Sequence, residues 1–99
     1  MFVALSKFTI ANGMTEAVKT AFKNRPHLVD HSAGFLRMDV ISPLDNLDEI
    51  WLLTYWQDEN SYQQWHHGPA HKASHQGIPQ GLKLIPKSSE IRNFEYVCS

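Results

Sequence analysis

The first ten residues, MFVALSKFTI, constrain the fold of this chain more tightly than any other stretch. Successive side chains of a strand point to opposite faces, so Phe2, Ala4, Ser6, Phe8 and Ile10 share one face while Val3, Leu5, Lys7 and Thr9 share the other. Both faces are largely apolar. Such a strand needs cover on each side, with helices on one and a second sheet or subunit on the other.

The remaining elements follow from periodicity and punctuation. After the turn ANG, the stretch MTEAVKTAFKNR sets Met14, Ala17, Val18, Ala21 and Phe22 at helical spacing, with Thr15 as expected N-cap and Pro26 limiting continuation. A short turn of helix is expected in PHLVDHSAG, and Gly34 then releases the chain into a second strand, FLRMDVISPL. The short link PLDNLD suits an antiparallel hairpin to a third strand, EIWLLTYWQ. Asp58 is a good N-cap for ENSYQQWHH, Gly68 interrupts, and Pro69 restarts a second helical piece, PAHKASH. GIPQGLKLIPKSS reads as loop, and EIRNFEYVC closes the chain as a fourth strand.

The order strand, helix, strand, strand, helix, strand is the ferredoxin-like βαββαβ arrangement, an α+β fold with a four-stranded antiparallel sheet and its helices on one face. We expect one domain over residues 1–99. Leu36, Met38, Leu53 and Phe94 are expected to supply apolar material to the opposite face, which a second copy would cover, so a homodimer is expected. The hydrophobic fraction of 42% against 19% charged residues excludes a disordered chain. A formal net charge of −1 leaves no positive field to attract nucleic acid or an anionic membrane, and no apolar run reaches the roughly 20 residues of a membrane span. Cys98, the single cysteine, can form no internal disulfide, and no leader is recognisable, so the expected location is cytoplasmic.

Chemistry concentrates in YQQWHHGPAHKASH, which holds four of the six histidines. His67, His71 and His75 stand four apart, a spacing that suits metal ligation on one helical face, but no Asp or Glu lies between Asn60 and Lys87 to complete the set. A solvated polar face explains the same spacing, and His66 and His67 at a helix C-terminus complement its dipole. A haem pocket asks for less: one neutral imidazole, an apolar slot and cations for the propionates. Phe8, Phe22, Leu28, Trp56 and Trp65 can form the slot, with Lys7, Arg25, Arg37 or Lys72 meeting the carboxylates. Trp65 as a core-filling aromatic is the competing assignment. Ser6, the polar residue among Phe2, Ala4, Phe8 and Ile10, either bonds locally or points into the cleft as a donor; no hydrolase elbow surrounds it.

With this element order, the stretches FVALSKFTIANG, GFLRMDV, LLTYWQDENSYQQWHH and HKASH make the chain resemble the antibiotic biosynthesis monooxygenase family of dimeric α+β barrels, and within it the Isd-type haem-degrading monooxygenases. The resemblance implies that Trp65 and His75, ten residues apart, match the family's tryptophan and its proximal haem histidine. It further implies haem as both substrate and cofactor, degraded with O2 and an external electron donor, with Ser6, Trp65 and His75 as catalytic residues. His75 would be the axial iron ligand, and Phe8, Phe22, Trp56 and His71 would help bind the cofactor. The family's first-strand asparagine falls at Ser6, which is shorter and carries a single donor, so a water bridges the gap or the oxygenation chemistry is weakened. Relatives in the wider family oxidise quinol-like aromatics without a cofactor, and the shared barrel does not choose between these chemistries or a non-enzymatic ligand-binding role.

Overall fold

The computed structural model describes residues 1–25, 27–69, 71 and 79–99. Its elements run β1 (Phe2–Thr9), α1 (Thr15–Lys23), a 3-10 turn (Leu28–His31), β2 (Phe35–Ile41), β3 (Glu49–Trp56), α2 (Glu59–His66) and β4 (Glu90–Glu95). The sheet order is β2-β3-β1-β4 and every pairing is antiparallel. This is the expected ferredoxin-like arrangement. β1 lies between β3 and β4, and Val3, Ala4 and Leu5, which alternate between its two faces, are all buried.

The registers assign every strand residue to a face. Ser6 sits opposite Leu52 on β3 and Ile91 on β4, so these three share the helix-covered face with Ala4, Phe8, Ile50 and Thr54. Leu5 opposes Leu53, and Val3 opposes Phe94, on the other face, as expected. Met38 corrects the sequence expectation. A register shift between Phe35 and Arg37 turns it toward the helices, where it packs on the core, while Leu36 is left 46% exposed.

Helix caps decide how α1 and α2 leave the sheet. Thr15, expected as an N-cap, is instead the first residue of α1; its hydroxyl donates to Asp48 Oδ1 at 2.6 Å, tying α1 to the β2–β3 link. Asp58 does cap α2, its Oδ1 accepting from the Ser61 N–H and the Ser61 hydroxyl, each at 2.8 Å. Those two bonds hold the Asp58 carboxyl below its ordinary range. Gly34, at φ +80°, lies so close to this first turn that a Cβ there would collide with the Ser61 side chain. Only glycine meets both demands.

The loop before β4 is more ordered than its Gly and Pro content implied. Ala11 donates to Lys83 and Ile85 to Thr9, both at 2.8 Å, and Leu84 bridges Ile10, so the loop satisfies backbone groups at the end of β1 that β4 does not reach. Two clusters form the core: Ala4, Val29, Trp56 and Tyr62 in one, and Ile10, Val18 and Ile50 in the other. Among the described residues no helix is long and apolar enough to cross a membrane.

Candidate functional site

A cavity of about 390 Å³ opens between the helices and the sheet, a size at the lower end of small-molecule sites. Its origin is visible in β1. Ala4 and Ser6 are consecutive small residues on the helix-facing side, set between Phe2 and Phe8, and the helices resting on the two large rings do not fill the gap. Leu52 and Thr54 continue this floor on β3, Ala21 and Phe22 of α1 and Leu28 of the 3-10 turn form one wall, and α2 forms the other.

On α2, Tyr62, Trp65 and His66 fall at i, i+3 and i+4 and therefore share the inward face. Tyr62 is buried, stacks on His66 with ring centroids 5.4 Å apart, and meets Trp56 edge-on. Burial raises the Tyr62 phenol above its ordinary pKa, which keeps it neutral at pH 7. Pro69 and His71 have helical backbone beyond the break at Gly68, as the punctuation predicted. The His71 ring lies 4.6 Å from Trp65, edge to face, and 4.7 Å from His66. The Trp65 Nε1 is buried and has no hydrogen-bond acceptor among the described residues. A buried donor in this position costs about 1–3 kcal/mol if it stays unpaired.

Arg25 and His27 also line the cavity. Arg25 Nη1 lies 2.9 Å from Asp30 Oδ1 and His27 Nδ1 lies 3.2 Å from Asp30 Oδ2. Partial burial pushes the Asp30 carboxyl up, yet the bonds from Arg25 and His27 outweigh it and hold the group below its ordinary value. Asp30 is thus a carboxylate at neutral pH and holds the Arg25 guanidinium and the His27 ring together beside the cavity.

Of the residues expected from sequence, Ser6, Phe8, Phe22, Leu28, Arg25, Trp65 and His71 line this one cavity. Trp56 does not. It is fully buried beneath Trp65, with Nε1 donating to Thr54 Oγ1 at 2.8 Å, and supports the wall instead of forming it. Lys7 and Arg37 also depart from expectation, because Lys7 opposes Trp51 and Arg37, beyond the register shift in β2, opposes Tyr55, on the face turned away from the helices. Lys7 pairs with Glu90 at 3.2 Å over the Trp51 ring, and Arg37 pairs with Asp39 over Tyr55. His75 and Lys72 lie outside the described residues. His66, expected at the surface, lines the cavity, and Tyr62 does too; their i, i+4 spacing around Trp65 was the signal that could have found them. His67 is exposed, as expected. Among the described residues no group of three or more His, Cys, Asp or Glu converges on a metal position.

The sequence pattern of the family described as antibiotic biosynthesis monooxygenase matches residues 1–77. A haem oxygenase (mycobilin-producing) from Mycobacterium tuberculosis is 28% identical over 95 residues, covering 96% of this chain and 88% of its own. The structure of the haem degrader MhuD from M. tuberculosis, with two haems bound in its active site, superposes with a TM-score of 0.81 at 24% identity, covering 100% of this chain and 98% of its own. SnoaB, a cofactor-independent oxygenase from Streptomyces nogalater, superposes with a TM-score of 0.76 at 15% identity, covering 99% and 94%. These superpositions speak to the fold, which haem-binding and cofactor-independent oxygenases share.

Proposed function

The chain belongs to the antibiotic biosynthesis monooxygenase family, and from that premise we propose that it is a monooxygenase that takes haem into the cavity and degrades it with O2 and electrons from an external donor. The observation that carries this reading is the cavity itself: an apolar slot lined by Phe8, Phe22 and Leu28, with the imidazoles of His66 and His71 and, from the chain after α1, Arg25 and His27. That donor set fits a flat tetrapyrrole with two carboxylates, and the curated relative at 28% identity is a haem oxygenase. When bound, haem supplies the iron that activates O2 and the macrocycle that is oxidised, so it is substrate and cofactor together.

The protein's part is ligation, shape and exclusion of water. His75 would hold the iron. Trp65, held from behind by Trp56 at 5.7 Å, would pack against the bound haem together with Phe8 and Phe22, which line the same slot. Arg25 and His27 would meet its propionates in competition with Asp30. Ser6 would offer one hydroxyl donor from the sheet floor. A second copy on the open sheet face completes a dimeric barrel, and a cytoplasmic reductant is the expected electron source.

Titration of the purified protein with hemin tests this reading. Stoichiometric binding with an intense absorption band, followed by decay of that band when a reductant is added in air, is the expected result, and His75→Ala is expected to lose the band. No binding by the parent protein sinks the proposal and leaves the cofactor-independent chemistry of the family, on a small quinol-like aromatic, as the reading to pursue. Binding without decay makes the protein a haem carrier.

A further inference from the structure

Resting on the reading above, we infer that His67, His66 and His71 form a proton relay from solvent to the cavity. His67 is exposed, and His66 and His71 line the cavity; the ring centroids are separated by 5.2 Å between His67 and His66 and by 4.7 Å between His66 and His71. Each spacing lets ring nitrogens approach within hydrogen-bond distance, directly or through one water, after modest ring rotation. The result is a short file of imidazoles that begins in water and ends beside Trp65.

The chemistry requires such a path. When one atom of O2 enters a C–H bond of the substrate, the other leaves as water, and the balance takes two electrons from the external donor and two protons. A flat ligand filling an apolar slot excludes the water that would otherwise deliver those protons. Among the described residues, the other titratable groups on the cavity wall are poorer carriers: Arg25 and His27 are both bonded to Asp30, and burial pushes the Tyr62 phenol above an already high ordinary pKa. Imidazole alone accepts and releases protons near neutral pH, taking one at one nitrogen while giving one from the other. Among the described residues, the rings against His66 are Tyr62, stacked at 5.4 Å, His67 and His71, while Arg25 and His27, both bonded to Asp30, line the same cavity. Tyr62 stacks on the plane of the His66 ring, the face that takes no part in proton exchange.

The experiment compares the parent with His66→Phe, His66→Ala and His67→Ala, all loaded with hemin and reduced in air. His66→Phe is expected to bind hemin with the parent's absorption band but to degrade it on the order of a hundredfold more slowly at neutral pH, the usual worth of a positioned proton donor. That deficit is expected to shrink as pH falls, and added imidazole is expected to restore His66→Ala. His67→Ala, at the solvent end, should lose less. A parental rate and pH profile in His66→Phe overturns the relay. A second readout needs no haem: in the unliganded protein, ring NMR signals of His66 and His71 should titrate as a coupled pair, each midpoint moving when the other residue is replaced. Independent titration overturns the relay even if the parent binds no hemin, an outcome that would instead sink the haem reading.

Discussion

The two faces of the sheet solve the same problem in opposite ways. On the helix side, Ala4 and Ser6 are small, the helices span from one large ring to another, and the face keeps a cavity lined by indole, phenyl and imidazole rings. On the other side, among the described residues no helix packs over the sheet: Val3 and Leu5 are buried beneath their neighbours while Phe94 is exposed, and Lys7 and Arg37 lie above the rings of Trp51 and Tyr55. β1 is apolar toward both. The comparison teaches that apolar patterning marks a face for burial without saying whether it will be filled, hollowed or left for a partner.

Four changes sharpen that contrast, from the largest expected effect downward. Trp56→Ala removes the fully buried ring that backs Trp65 and is expected to cost about 3–5 kcal/mol, measured by denaturant unfolding. A loss under about 1 kcal/mol would show that the aromatic wall is not built from behind. Next, Leu53→Asp places a charge at the centre of the open face. Sedimentation should show the parent as a dimer and the variant as a monomer, with unchanged hemin stoichiometry per chain if each face acts alone.

Within the cavity, Ser6→Asn restores the longer amide that the family resemblance associates with this position. The decay rate of bound haem in air is expected to rise by roughly tenfold to a hundredfold, the range of a preorganised donor, with little change in affinity. An unchanged rate would remove Ser6 from the chemistry. The smallest effect is at the α2 cap. The Asp58 carboxyl is lowered by its two bonds from Ser61, so its contribution to folding is fully present above the unfolded-state value near about 3.9 and fades as pH falls through the lower folded value. Asp58→Ala should therefore melt below the parent at pH 7, and the gap should close in acid.

Legibility differed between fold and site for physical reasons. The element order, the Asp58 cap and the Gly68–Pro69 break are local properties, written in alternation, capping chemistry and backbone preference. Ser6, Phe8, Phe22 and Trp65 were also found, since each lies on the inward face of its own element. Trp56 was placed one layer too far forward and Arg37 on the wrong side, because aromaticity does not tell a wall from its support and the β2 bulge is not written in the pattern; Lys7 was misassigned against the β1 alternation, which already set it on the opposite face from Ser6 and Phe8. Met38 changed face through a one-residue register shift that no pattern in β2 announces. His66 was read as a surface cation, although its spacing from Tyr62 put both on the Trp65 side.

By itself, then, the sequence determined the strands, the helices, their order and the need for cover on both sides of β1, all consequences of side-chain period and backbone stereochemistry. Only the tertiary structure decided where the space lies. A cavity is a difference between what neighbouring elements could fill and what they do fill, and that depends on how α1 and α2 rest across Phe8, Trp56 and the small residues between them. The same packing brought His66 and His71 ring to ring on either side of Gly68, a contact that the spacing of the residues alone does not give.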